Sequence, residues 1–131
     1  METQGRHFEE TCTTLHGEFF LKFPNLAFYE LVSQAFAMLL ERQQNFPGEA
    51  GAWAGGTVYA VGAGRYGVPD VLNAELENTF NVKMPVIRKR AAQIKQLLGD
   101  DAPLYIPGLA PFAEFVRQEF SVTSGLAGTG R

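Results

Sequence analysis

The sequence predicts an all-α protein, a five-helix bundle with a helix-turn-helix and an extra C-terminal helix. Apolar residues recur at helical spacing and seldom alternate as they would in strands. Proline and glycine divide the chain into segments of helix length. Its 131 residues, 46% of them hydrophobic, suffice for one domain with one core. We predict this domain at residues 1–120 and a flexible tail at 121–131.

Two amphipathic helices are predicted at residues 6–22 and 25–44, separated by Pro24. Each has one apolar face, as expected when a surface helix covers a core. The first face consists of Phe8, Cys12, Leu15 and Phe19. The second consists of Phe28, Leu31, Val32, Ala35, Phe36, Leu39 and Leu40.

The third predicted helix, residues 49–65, has almost no polar face and is rich in Ala and Gly around Trp53 and Tyr59. Each glycine lowers intrinsic helicity by up to about 1 kcal/mol, so burial must stabilise this helix. We therefore expect it in the middle of the bundle, where small residues let neighbouring helices approach closely.

The end of this segment also matches the dinucleotide fingerprint G-x-G-x-x-G, at Gly62, Gly64 and Gly67. That fingerprint requires a preceding strand, a helix opening on its last glycines, and an acid about 20 residues further on. Pro69 follows instead, and residues 78–99 contain no acid. We interpret the match as a helix end and a turn, and expect no cofactor.

A helix-turn-helix is predicted at about residues 73–98. Asn73 is expected to cap the short first helix, because Asn side chains accept hydrogen bonds from amides at a helix start. Leu72, Leu76 and Phe80 should form its inner face. The inner stripe of the second helix should be Ile87, Ala91, Ile94 and Leu98. The residues expected to lock the two helices together are Leu76, Phe80, Val82, Ile87 and Ile94.

The second helix of this pair is basic, although the protein carries a net charge of −3. Such a helix can lie in a groove of double-stranded DNA. Lys83, Arg88 and Lys89 would then contact phosphates or guanine edges, and Asn81 or Gln93 would hydrogen-bond to bases. The alternative is a packed helical hairpin whose cations form an ordinary solvated face.

A last amphipathic helix is predicted at residues 111–120, with Phe112, Phe115, Val116 and Phe120 on one side. If this side is not part of the core, Phe115 and Phe120 would contact a protein partner or a second copy of the chain. The protein would then be an interaction module without nucleic-acid binding.

Enzymatic chemistry has little support in the sequence. There is no G-x-S-x-G motif, and the adjacent carboxylates at 9–10 and 100–101 are typical of solvated surface. Glu9, Cys12 and His16 have helical spacing that a metal could use. Cys12, however, lies in an apolar stripe, where a thiol is usually a small buried hydrophobe. We expect neither catalysis nor a metal site.

Composition predicts a cytoplasmic protein without a membrane segment. A single cysteine cannot form an internal disulfide, and residues 1–10 lack the apolar core of a signal peptide. The longest weakly polar run, residues 50–64, is too short and too rich in Gly and Ala to span a bilayer.

The segments WAGGTVYAVG and NAELENTFNVKMPVIRKRAAQIKQLL, after two amphipathic helices, resemble the cyclin-box fold of transcription-factor-IIB-like proteins. More closely, they are similar to a bacterial family of domains of unknown function, over about residues 28–98. The matching positions are Trp53, Val58, Tyr59, Ala60, Leu72, Glu75, Leu76, Phe80, Val82, Val86, Arg90, Ala91 and Ile94. The family's capping Thr and Ser are Asn73 and Lys83 here. The resemblance implies a cyclin-box-like bundle and no established activity.

Overall fold

The computed structural model describes residues 2–62 and 68–106. These residues form the helices α1 (Glu2–Lys22), α2 (Leu26–Arg42), α3 (Ala50–Gly62), α4 (Asn73–Phe80) and α5 (Met84–Leu98), followed by a short 3-10 turn at Gly99–Asp101. No strand occurs among the described residues, so the all-α prediction is confirmed for them. The predicted helix 111–120 and tail 121–131 lie outside these ranges.

The first two helices differ from prediction mainly at their ends. α1 begins at Glu2, four residues earlier than expected, and α2 ends at Arg42. Asn25 caps α2, because its side-chain Oδ1 accepts a hydrogen bond from the Phe28 N–H at 3.1 Å. An N-cap has extended backbone while its side chain satisfies a free amide of the first turn.

α3 lies in the centre of the bundle, as predicted, and packs against α1, α2, α4 and α5. All its residues except Ala50 and Tyr59 are buried. A Cβ on Gly51 would meet the Phe80 carbonyl oxygen, and one on Gly56 would lie 2.9 Å from the Arg90 Cβ. The absence of side chains at these two positions therefore lets α4 and α5 approach the α3 backbone.

Two side chains of α1 hydrogen-bond to carbonyls of α3. The Cys12 thiol donates to the Ala50 oxygen at 3.6 Å, and His16 Nε2 donates to the Ala54 oxygen at 3.0 Å. Burial raises the pKa of Cys12 to about 12 and lowers that of His16 from 6.5 to about 4. Cys12 is thus a buried core residue, as predicted. His16 is a neutral core residue as well. From the sequence it had been considered only as a residue with metal-ligand spacing to Cys12.

The chain after α5 returns to the start of α2. The Tyr105 N–H donates to the Val61 oxygen at 2.9 Å, and Asn25 Nδ2 donates to the Tyr105 hydroxyl at 2.9 Å. The Tyr105 ring stacks on Phe28 with centroids 4.9 Å apart. These contacts fix the last described residues beside the junction of α1 and α2.

Candidate nucleic-acid interface

α4 and α5 are joined by a three-residue turn, which gives the short-helix, turn and long-helix order predicted for residues 73–98. Asn81 takes the left-handed conformation in this turn, with φ 57° and ψ 40°. Among residues with a side chain, Asn adopts this conformation most readily, because its short polar group can hydrogen-bond locally. The backbone of the turn thus gives Asn81 a structural role in addition to any contact with a base.

The residues expected to lock the two helices are mostly in place. Leu76, Phe80, Ile87 and Ile94 are buried, and Val82 is half-buried against the core. The prediction for Leu72 is wrong, because 71% of this residue is exposed. Leu72 precedes the first turn of α4 and has extended backbone, so the helical periodicity does not apply to it.

The predicted cap of α4 is also wrong. Leu72, not Asn73, occupies the N-cap position, and the Glu75 carboxylate accepts a hydrogen bond from the Leu72 N–H at 2.9 Å. A capping box needs a polar N-cap residue and an acidic or amide residue three positions later. Here only the second of these, Glu75, is present.

α5 begins without a cap of its own. Lys83 occupies its N-cap position and makes no side-chain hydrogen bond there. Instead, Glu77 Oε2 on α4 accepts a hydrogen bond from the Met84 N–H at 2.8 Å. A carboxylate at this position also interacts favourably with the positive end of the helix dipole. Glu77 therefore stabilises the start of α5 from the preceding helix, a role that the sequence pattern did not indicate.

Four of the five cations between residues 83 and 95 are exposed, namely Lys83, Arg88, Lys89 and Lys95. Asn81 and Gln93 are exposed as well. Helical geometry places Lys89 and Gln93 opposite the buried stripe of α5, with Arg88 and Lys95 on one flank. The structure thus leaves every predicted DNA-contacting residue accessible to a ligand.

Arg90 is the exception among these cations, because it is held by contacts within the fold. Its Nη2 donates to the Pro47 oxygen at 2.8 Å, and its Cζ lies 4.6 Å from the centroid of the Trp53 ring. Its Nη1 donates to Gln93 Oε1 at 2.8 Å. This bond orients the Gln93 amide and leaves its NH₂ group free of bonds to other described residues. From the sequence, Arg90 was expected only as one of the positions that match the family pattern.

A pocket of about 540 Å³ lies beside the turn, between the first turn of α5 and the loop before α3. Its walls carry both charges: the acids Glu49 and Glu77, and the cations Lys83 and Arg90. Acidic side chains therefore lie close to the side of α5 that bears Val86 and Arg90. Arg88, Lys89 and Lys95 do not line this pocket.

Comparison of the chain with models of protein families, with curated proteins and with solved structures found no match. Within the described ranges, no helix combines the length and the apolar character needed to cross a bilayer. The predicted partner contacts Phe115 and Phe120 lie outside the described residues.

Proposed function

We propose that this chain is a regulatory, non-enzymatic protein that binds double-stranded DNA through the outer face of α5. One observation supports this most: the fold engages Arg90 but leaves Lys83, Arg88, Lys89 and Lys95 exposed on one helix and its N-cap. Because the protein has a net charge of −3, any affinity for a polyanion must come from such a local patch.

The proposed contacts divide into two kinds. Arg88 and Lys89 neutralise phosphates or reach guanine edges, which favours binding to any sequence and makes it dependent on salt. Gln93 reads a base, and its bond from Arg90 holds the amide in place before DNA arrives. The free NH₂ group of Gln93 then donates to an acceptor on a base edge, which favours bases that present an acceptor at that position. Asn81 and Lys83 contact the backbone or bases at the turn.

Binding can be measured by fluorescence anisotropy with labelled duplexes of mixed sequence at several salt concentrations. We expect the affinity to fall steeply with salt. The double substitution Arg88→Ala/Lys89→Ala should reduce the slope of log K against log salt by about two units, since each phosphate contact contributes about 0.9. Gln93→Ala should reduce the preference among duplex sequences while leaving this slope unchanged.

The matched control is Arg6→Ala/Lys22→Ala, which removes two exposed cations from α1 and changes the net charge by the same amount. It should leave both affinity and slope nearly unchanged. Equal losses in the two double variants would mean that binding is non-specific electrostatics of the whole surface. Absence of binding at low salt would reject the proposal outright.

We further propose that the bundle is of the cyclin-box type, with α3 as its central helix and α4–α5 as its helix-turn-helix. The support for this is the buried, glycine-rich α3, which packs on the other four helices of the described residues, together with the short α4 and basic α5 that follow it. An experimental structure whose helices superpose poorly on cyclin-box domains would contradict this architecture.

A further inference from the structure

An apolar groove runs along the junction of α1 and α2, on a surface that DNA binding does not use. Its lining is almost entirely apolar: Phe20, Leu21, Pro24, Leu26 and Tyr29. Leu21 is 83% exposed and Leu26 is 66% exposed. The groove is a shallow depression, open to solvent, of about 350 Å³. Neighbouring exposed apolar side chains of this kind offer a surface on which another apolar element can dock.

The floor of this α1–α2 groove is fixed by aromatic packing. The Phe20 ring meets Phe28 edge to face at a centroid distance of 5.3 Å, and it meets Tyr29 in the same way at 5.2 Å. Such pairs hold each ring in a defined orientation. The groove therefore exists before any ligand enters it, which lowers the entropic cost of binding.

The described chain ends beside this groove. Asn25 belongs to the groove wall and also donates to the Tyr105 hydroxyl, and Tyr105 stacks on Phe28 directly behind Phe20. Ile106 follows, and 25 residues of the 131 come after it. These include Phe112, Phe115, Val116 and Phe120, which share one side at helical spacing.

We propose that the α1–α2 groove binds residues 111–120 of the same chain through these four apolar side chains. The five residue-to-residue steps from Ile106 to Pro111 can span at most about 18 Å, which suffices to enter a groove whose wall already contacts Tyr105. The short connection also gives the segment a high effective concentration at the groove. Phe115 and Phe120 are then covered by the protein's own α1–α2 groove and are not offered to a partner.

Hydrogen exchange of the full-length chain tests this directly. Amides of residues 111–120 should exchange slowly in the wild type, because docking protects them. Leu26→Glu should accelerate their exchange by about tenfold or more, because it places a charge in the groove. The matched control is Leu72→Glu, which alters a similarly exposed leucine at the start of α4 and should leave the exchange unchanged.

Each other result overturns the proposal. Unprotected amides in the wild type would show that the segment does not dock. Equal protection in wild type and both variants would place the segment elsewhere. Protection that rises with protein concentration would mean that the groove binds the segment of a second copy. The outcome is distinct from that of the DNA experiment, because neither leucine lies on α5.

Discussion

Trp53 and Arg90 donate hydrogen bonds to the same carbonyl oxygen, that of Pro47. The Trp53 Nε1 lies 2.9 Å from it and the Arg90 Nη2 2.8 Å, while the guanidinium also lies over the indole ring. α3, α5 and the loop between α2 and α3 therefore meet at one acceptor. Gly48 permits this approach, since its φ is +89° and a Cβ there would lie 2.9 Å from the Arg90 Nη2.

Loss of the Arg90 side chain should therefore destabilise the fold. We expect Arg90→Ala to lower the free energy of unfolding by about 1–2 kcal/mol, from lost charge-assisted hydrogen bonds and cation–π contact. Arg90→Lys should restore less than half of the lost stability. A lysine ammonium lacks the planar guanidinium that stacks on Trp53 and hydrogen-bonds in two directions at the same time. Urea unfolding measures the stability of both variants.

The control is Arg88→Ala, on the same helix but exposed, which should change stability by less than about 0.5 kcal/mol. Equal effects at 88 and 90 would contradict the structural role assigned to Arg90.

Two glycines in helices should respond oppositely to alanine. Gly51→Ala places a methyl group against the Phe80 carbonyl, a backbone atom that cannot move aside, so we expect a loss of about 2 kcal/mol or more. At Gly17, in α1, a Cβ would meet no atom within 4 Å. Gly17→Ala should therefore stabilise the protein by about 0.5–1 kcal/mol through helix propensity. Thermal unfolding of both variants checks this; a destabilising Gly17→Ala would be the contrary result.

Stability should fall as the solution is acidified from neutral pH. Burial lowers the pKa of His16 from 6.5 to about 4 in the folded state. Between these values the unfolded chain binds a proton that the folded chain excludes. The free energy of unfolding is therefore highest above about pH 6.5 and decreases as pH falls to about 4, by up to about 3 kcal/mol. Urea unfolding at pH 4.5 and 7 measures the change.

The contribution of His16 to this pH dependence can be isolated by substitution. His16→Phe keeps a ring against Phe36 but cannot bind a proton, so its stability should vary much less over the same interval. His7→Gln, on the exposed face of α1, should keep the wild-type dependence. An unchanged dependence in His16→Phe would assign the effect to other groups.

The place of Asn81 in the turn and its proposed contact with DNA can be tested separately with three substitutions. Asn81→Ala should destabilise the fold by about 1 kcal/mol, because alanine tolerates the left-handed conformation at this position less well than asparagine does. Asn81→Gly should fold as well as the wild type. If Asn81 also contacts DNA, Asn81→Gly will bind more weakly despite normal stability, whereas Asn81→Asp will lose most affinity through repulsion of phosphates. If all three variants bind DNA with wild-type affinity, Asn81 does not contact DNA and serves only to form the turn.

The inward faces of the helices could be predicted because they depend on local periodicity. Ile87, Ala91, Ile94 and Leu98 are all buried, as the spacing indicated. The central place of α3 followed from its lack of a polar face. Leu72 and Asn73 were misplaced because the apolar spacing extends one residue ahead of the start of α4, where the backbone is not yet helical.

The contacts that fix the site could not be predicted, because their partners are distant in sequence. Arg90 binds the carbonyl of a residue 43 positions away, and His16 that of one 38 positions away. Backbone carbonyls carry no signature in the sequence, so no pattern marks such acceptors. Helical geometry already left Arg90 out of the predicted DNA contacts, but the structure was needed to show which groups hold its side chain.

The position of α3 has a consequence for how the chain folds. A helix of 13 residues that is rich in glycine and lacks a polar face has little stability in isolation. It forms only when α1, α2, α4 and α5 surround it, and each of those helices buries part of its own apolar face against it. Most of the packing between helices involves α3, so the other helices gain little of it before α3 is in place. Folding should be all-or-none, and the surface of α5 exists only in the complete domain.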